Sequence, residues 1–544
     1  MPAFFFASQG VDLSGGLARR FPPDRVRRNH DCGVSDMRAC LIALGLALSM
    51  GPAFAEEPAR PGTPEPTASK ADIPEAKVFT SDHTFKLRGQ TIKYKTIAGE
   101  TYLRDEKDEP TASIFSVAYI RDGVSNPTTR PVTFVFNGGP GSASLWLHMG
   151  AFGPKQVITP SDARGVGAPP YTIQDNQNSL LDVSDLVFID PVGTGYSRPL
   201  GDTEGKEFYG VNEDAESIAE FIRIWLTENG RWNSPKFLAG ESYGTTRAAA
   251  LTEKLQGGWN GIGLNGVILI SAILDFQNAR FASGNDSAHI AFFPTEAAIA
   301  WYHGKANKAR WNNNFDAFVA DARNYATDTL APALIRGSTL TAGQKSAIAA
   351  NMSDYLGVSA KWIELANLRV DPTRFRKELL RKEGYTVGRF DGRYKGIDSE
   401  GTSDTPENDP SGYGMDTAYV AAINDYLTRE LDVEFTRPYK VLTGGPGSQW
   451  NWSMSEGGWP AYVNVTPWLG KGMRENPDLK VLLASGWYDL ATPFFGAEMA
   501  MYQNGVVLDR VQFDYYDAGH MMYLKEADGT KLSNDVRDFI ESGQ

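Results

Sequence analysis

The sequence predicts an α/β fold: a mostly parallel central sheet with helices on both faces and a helical insertion. Three observations predict it. Short, nearly continuous apolar runs recur along the chain. Helical periodicity fills several of the gaps between them, and one long helix-rich stretch interrupts the series. Continuous apolar runs suit parallel strands buried on both faces, whereas half-exposed strands alternate. A chain of 544 residues, 42% hydrophobic and 22% charged, has the composition of a soluble globular protein. Its length suits one large domain with an insertion, or two domains. The net charge of −13 argues against a phosphate-binding surface, so nucleic acid is not an expected partner.

The elements follow in order. Residues 1–55 read as an N-terminal extension ending in an export signal. Arg38 precedes the apolar run Ala39–Met50, and Ala53-Phe54-Ala55 forms a small-x-small cleavage site. Met37, just before Arg38, is an alternative start that would make residues 1–36 an over-extended gene model. The apolar run is short for a spanning helix, and no other segment is apolar enough to cross a bilayer. No stable membrane insertion is therefore expected after cleavage, and the expected location is periplasmic or secreted. Both cysteines, Cys32 and Cys40, precede the cut, so the exported chain would rest on its core without a disulfide. Residues 56–75 hold five prolines and few large apolar residues, and read as a flexible tether.

A first core part, 76–275, opens with two alternating stretches, Thr91–Leu103 and Ser113–Ile120, expected as half-buried antiparallel strands. Buried parallel strands are expected at Val132–Phe136, Leu186–Ile189, Phe237–Ala239 and Val267–Ile270. A second core part, 437–544, adds Val481–Ala484 and Val511–Phe513. Ile218, Phe221, Ile222, Trp225 and Leu226 share one face of a helix from about Glu213 to Glu228, which Asn229-Gly230 ends. Between the two parts, 276–436 carries helical pattern at Phe315–Leu330, Ala342–Leu356, Ala360–Leu368, Arg374–Lys382 and Thr417–Leu431. It reads as a helical cap over the site. Asp398–Asp409 reads as a solvated acidic loop, because its spacing fails the calcium-loop pattern. Gly444–Ser448, a second copy of Gly-Gly-Pro-Gly-Ser, reads as a turn.

Remote segments carry the chemistry. Gly240-Glu241-Ser242-Tyr243-Gly244 follows an apolar strand and precedes a helix, as a nucleophile elbow does. Such a turn is strained and crowded, and needs small residues two before and two after the serine. A serine hydroxyl also needs an adjacent base. Of six histidines, only His520 lies in a Gly-flanked loop after a late strand. His30 lies before the cut, His83 in the N-terminal β region, and His289 and His303 in the cap; His148 reads as a packing or helix-end residue. Asp489, in the loop between Lys480–Ser485 and Pro493, would orient the imidazole and stabilise its charged form. Asp514 and Asp517 sit too close to His520 along the chain to serve. The order Ser, Asp, His is that of an α/β-hydrolase triad, which makes the α/β-hydrolase fold the expected class. Gly138 and Gly139 follow the strand Pro131–Phe136 and let the backbone approach a developing oxyanion. The expected donors are the N–H groups of Gly139 and Tyr243. This chemistry calls for no metal or other cofactor.

Five ordered motifs now stand together: Asn137-Gly-Gly-Pro-Gly, Asp190-Pro-Val-Gly-Thr-Gly-Tyr-Ser, Gly240-Glu-Ser-Tyr-Gly, Ser485-Gly-Trp-Tyr-Asp and Gly519-His-Met. Over roughly Phe134 to Tyr523 they resemble the serine carboxypeptidase family, in a bacterial-type, exported member. The resemblance implies release of C-terminal residues from peptide substrates. It implies that Asn137, Gly138 and Glu241 bind substrate, with Asn137 and Glu241 hydrogen-bonded to its terminal carboxylate. The chain departs from the family pattern at Val135 (usually Trp), Ser142 (usually Cys) and Ala151 (usually a second Glu). Two close carboxyls share a proton, so that one is neutral and donates. Without that partner Glu241 is expected to lose this source of a raised pKa, and activity is expected to persist at neutral pH. Arg247, one turn past Ser242, reads as a helix-surface residue, the alternative being a charge that offsets the missing acid. Two other functions stay open: an esterase or acyltransferase with the same triad, and a non-catalytic protein that binds partners through the cap. The residues do not give the side-chain preference or the oligomeric state.

Overall fold

Five of the six apolar runs become central parallel strands because every residue along them has a core to enter on one side or the other, and the sixth, Val511–Phe513, pairs at the sheet edge. In the computed structural model, residues 73–544 are described, apart from 258, 259, 457 and 504. The export-signal pattern and most of the expected tether lie outside them. The main sheet contains β1 (Val78–Leu87), β2 (Gln90–Arg104), β3 (Pro110–Arg121), β4 (Val132–Phe136), β5 (Asp185–Asp190), β6 (Lys236–Glu241), β7 (Gly266–Ile270), β8 (Lys480–Gly486) and β9 (Val511–Tyr516). Their spatial order is β1-β2-β3-β5-β4-β6-β7-β8-β9. The pairs β1/β2, β2/β3 and β3/β5 are antiparallel. From β5 to β9 every pair is parallel.

Side chains on the parallel strands alternate between two cores. Val135, Phe188, Ala239, Ile268 and Ala484 enter one face. Phe134, Val187, Leu238, Leu269 and Leu483 enter the other. Helices α1 (Val211–Glu228) and α2 (Tyr243–Gln256) cover the second face. The C-terminal helix Glu526–Ser542 covers the first through Leu532, Val536, Phe539 and Ile540. Each fully buried Leu, Ile or Phe contributes about 1.5–3 kcal/mol, which is how a sheet covered on both sides holds together without a disulfide. This is the predicted α/β-hydrolase-type arrangement, a mostly parallel sheet flanked by helices.

The helix-rich stretch divides between two cores. Helix α3 (Ser287–Tyr302) is the centre of a third cluster that also takes Phe318, Tyr355 and Phe375, together with Tyr488, Leu490 and Phe494 from the segment after β8. Helix Met415–Asp425 and the turn Tyr426–Glu430 pack instead into the first-face core, through Tyr419, Ile423 and Tyr426. Two expectations need correction. Gly444–Gln449 is a short helix, not a turn, and it lies against the first copy of the motif. There Thr443 N donates to the Gly141 carbonyl at 2.9 Å, and a Cβ on Gly141 would lie 3.4 Å from the Pro446 Cβ. The acidic loop is not uniformly solvated: the Asp398 side chain is 3% exposed, ion-paired with Lys377 and bonded by the Thr386 hydroxyl at 2.8 Å. Among the described residues no group of three His, Cys, Asp or Glu could hold a metal ion, and no helix is long and apolar enough to cross a membrane.

Candidate active site

Strand β6 runs into helix α2 through a single residue, Ser242, whose φ of 60° and ψ of −130° lie where side-chain-bearing residues are rare. The turn is crowded on both sides. A Cβ on Gly240 would strike the Gly244 carbonyl, and one on Gly244 would lie 2.9 Å from the Phe136 carbonyl oxygen. Only glycine fits at either place. The result lifts Ser242 out of the sheet. Its backbone N–H donates to the Ile270 carbonyl at 3.0 Å, and its half-buried hydroxyl makes no hydrogen bond among the described residues.

Strand β8 delivers Asp489, which is fully buried and surrounded by donors. Its Oδ1 accepts from Ala491 N at 2.7 Å and Thr492 N at 3.0 Å. Its Oδ2 accepts from the Thr492 hydroxyl and from His520 Nδ1, both at 2.7 Å. A carboxylate oxygen only accepts, so the imidazole proton sits on Nδ1 and Nε2 is left basic. Burial pulls the His520 pKa down, but the Asp489 charge and hydrogen bond outweigh it and leave the imidazole above its usual 6.5. The rival acids are occupied elsewhere. Asp517 accepts from the Tyr488 hydroxyl at 2.6 Å and pairs with Lys525, and Asp514 accepts from Gln512.

The His520 loop is tied next to the elbow. Ser271, which follows the Ile270 that binds Ser242 N, donates its hydroxyl to the His520 carbonyl at 2.7 Å. From the other side, His520 N donates to the Phe390 carbonyl at 2.6 Å and Gly519 N to Asp391 Oδ2 at 3.1 Å. The Phe390 ring sits 5.1 Å from the imidazole. Sequence reasoning missed Ser271, Thr492, Phe390 and Asp391. No hydrogen bond joins Ser242 to His520 among the described residues; such bonds are often long until substrate closes them.

The glycine loop after β4 lies against the elbow. A Cβ on Gly138 would press into the Tyr243 nitrogen and come within 2.8 Å of the Glu241 oxygen and the Gly244 nitrogen. Gly139 takes a φ of 103°, which a side chain would oppose. Asn137 is locked: Nδ2 donates to Glu241 Oε1 at 3.0 Å, and Oδ1 accepts from Leu147 N at 3.1 Å. Its carbonyl accepts from Arg247 Nη1 at 2.6 Å. Arg247 is thus no surface residue. It is 1% exposed, bonds Asp214 of α1 at 2.7 and 3.1 Å, and spends its charge there rather than offsetting a missing acid. His148 is a packing residue. It stacks on Phe188 at 4.2 Å and bonds the Tyr119 hydroxyl at 2.6 Å, and burial pushes it down to about 3.

Glu241 departs from its expected behaviour. Burial pushes its carboxyl up to about 7. The His520 charge, the Tyr523 hydroxyl and Asn137 oppose that rise, and Asp489 adds to it. Desolvation supplies the raised value that a second carboxyl was expected to provide.

Fold and site together define a hydrolase-type scaffold with a serine at its elbow. The serine carboxypeptidase model matches residues 91–381. That stretch is more than half of the chain, and the chain belongs to the serine carboxypeptidase family. The matched stretch includes Ser242 and ends before Asp489 and His520. Serine carboxypeptidase-like 45 of Arabidopsis thaliana is 25% identical over 232 residues, 41% of this chain and 44% of that protein. Serine carboxypeptidase ctsa-3.1 of Caenorhabditis elegans is 28% identical over 196 residues, 34% of this chain and 30% of that protein. The chain spans less than half the length of these curated relatives. Among solved structures, the prohormone-processing carboxypeptidase KEX1 from Saccharomyces cerevisiae is 16% identical, with 82% of this chain and 91% of that one covered at a TM-score of 0.49.

Proposed function

We propose that the chain is a serine-type carboxypeptidase that removes C-terminal residues from peptides. Ser242 attacks the carbonyl of the last peptide bond as His520 Nε2 takes its proton. The N–H groups of Gly139 and Tyr243 receive the oxyanion. His520 then passes the proton to the leaving amine, the amino acid departs, and water hydrolyses the acyl-enzyme by the same route. Asp489 holds the imidazole in the Nδ1–H form. Asn137, Gly138 and Glu241 bind substrate, the carboxyl of Glu241 in its neutral form meeting the terminal carboxylate. The helical stretch 276–436 serves as a cap around this site. We also read the chain as an exported, bacterial-type member, periplasmic or secreted, on the signal-like pattern of residues 37–55.

One observation carries the reading: the buried Asp489–His520 hydrogen bond, tied through Ser271 to the strand end beside Ser242. Digestion of peptides with free and with amidated C-termini, followed by mass spectrometry, tests it. Stepwise loss of single residues from the free C-terminus alone is the expected result. Equal attack on amidated peptides, or turnover of esters alone, would favour an esterase or acyltransferase. Failure of folded protein to be labelled at Ser242 by a fluorophosphonate would favour a non-catalytic protein.

A further inference from the structure

Two buried polar groups meet at Glu241 in a contact that falls short of a well-formed hydrogen bond. Glu241 is 3% exposed and Tyr523 is 8% exposed. Glu241 Oε2 and the Tyr523 hydroxyl both lack a partner among the described residues. Yet the two groups are close enough to shift each other's titration. Oε1 is already taken by Asn137. A second phenol, Tyr419, also feels the Glu241 charge. The two tyrosines meet over Gly150. A Cβ there would touch the Tyr419 hydroxyl and lie 2.6 and 2.8 Å from Cε2 and Cδ2 of the Tyr523 ring. Gly150 makes room for these rings. A buried donor or acceptor left unpaired is costly, and native structures tolerate it where a ligand or water completes it.

We propose that Tyr523 is a specificity-determining residue whose hydroxyl donates to the same substrate carboxylate that Glu241 receives, a phenol standing where a second carboxyl group would otherwise work. The inference rests on the carboxypeptidase reading above. Asn137 occupies one oxygen of Glu241, so a substrate carboxylate accepting from Oε2 and from the Tyr523 oxygen together would satisfy both. The two donors differ in one respect. Burial, then the Glu241 charge, holds the Tyr523 phenol well above its ordinary value of 10. It therefore keeps its proton through the range in which Glu241 gives its proton up. Glu241 is faced by His520, Asp489, Asn137, Tyr523 and Tyr419, and none of these is a lysine or arginine. Recognition of the carboxylate then depends on neutral donors.

The test uses the full chain with Tyr523→Phe, which keeps the ring and removes the hydroxyl. Two substrates share one acyl part: a blocked dipeptide with a free C-terminal carboxylate, and a neutral ester. The expected result is a fall of about ten- to a hundredfold in kcat/KM for the dipeptide, mostly in KM, with the ester and the rate of fluorophosphonate labelling unchanged. An equal fall for both substrates, no fall for either, or loss of labelling would overturn the assignment, the first and last marking a merely structural role. If the phenylalanine variant does not fold, Tyr523→Leu is read by the same ratio. A wild-type protein that shows no preference for the free carboxylate defeats the carboxypeptidase reading itself, and does so before any variant is made.

Discussion

Replacing Glu241 by Gln separates neutral from charged recognition of a substrate's end. The Glu241 carboxyl lies at about 7, against an ordinary 4.5, because burial raises it more than the His520 charge and its hydrogen-bond partners lower it. Half the molecules are neutral at pH 7 and roughly one in a hundred at pH 9, so kcat/KM for a free-carboxylate peptide should fall about 50-fold from pH 7 to 9. The acid limb has a different origin. In the proposed mechanism His520 would act as a base only when neutral, and its raised pKa delays that state as pH increases. The substituted amide has no proton to lose. Asn137 Nδ2 donates to Oε1, so that amide would keep its oxygen toward Asn137 and turn its NH2 to the substrate. In E241Q the alkaline limb should vanish while the acid limb stays. The assay is kcat/KM from pH 5 to 9 for wild type and E241Q on a free-carboxylate peptide and on an ester with the same acyl group. An alkaline limb of equal steepness in E241Q, or in the wild-type ester profile, would refute the reasoning. Wild-type activity confined to acid pH would refute it as well.

Four further outcomes are expected. Asp489→Asn removes the acceptor that keeps the proton on His520 Nδ1, and kcat should drop about 10³- to 10⁴-fold, read by single-turnover kinetics on folded protein. Gly138→Ala forces a methyl group into the Tyr243 nitrogen, an expected oxyanion donor, so kcat should fall about 10²- to 10³-fold with KM little changed; a variant with wild-type kcat would clear Tyr243 of that role. Asp214→Ala strands the buried Arg247 charge and should cost about 3–5 kcal/mol in urea denaturation, with lost labelling at Ser242 as the Asn137 loop loosens. For stability against pH, the native Glu241 value lies above the unfolded one, so native protein keeps the proton longer. Stability from this group is therefore full below about 4.5, falls by about 3 kcal/mol as pH rises to about 7, and is level beyond. E241Q lacks that fall, so its Tm should gain on wild type between pH 4.5 and 7 and then keep a fixed lead; a lead independent of pH would count against a buried ionisation.

What could be read from the sequence was local or two-sided. The five central parallel strands announced themselves because both faces are buried, and the elbow because its glycines and serine fall within five residues. Strand β1 was not legible: it is an edge strand, VFTSDHTFKL, largely exposed and short of apolar residues. Helix α3 was missed for the opposite reason. It is apolar on nearly every side and carries Pro294, so no periodicity marks it. Arg247 misled because its neighbours, Thr245, Thr246 and the alanines, give no sign that Asp214 waits 33 residues upstream. The clamp on His520 joins partners 128 residues apart and reaches through a backbone carbonyl, which no side-chain pattern encodes. The missing second acid at Ala151 was visible, but its expected effect on Glu241 was not realised. A sequence reports which charges are present, whereas desolvation depends on how completely water is excluded.

If the helical stretch caps the site as proposed, the grip of Phe390 and Asp391 on the histidine loop would tie substrate choice to catalysis in one length of chain. Side chains between α3 and the second core part could be remodelled to suit other peptides. The two residues that hold His520 would have to be inherited intact by any such redesign. Grafting a foreign cap without them would leave the general base hinged on one side only, and a change meant to alter selectivity would surface first as lost turnover.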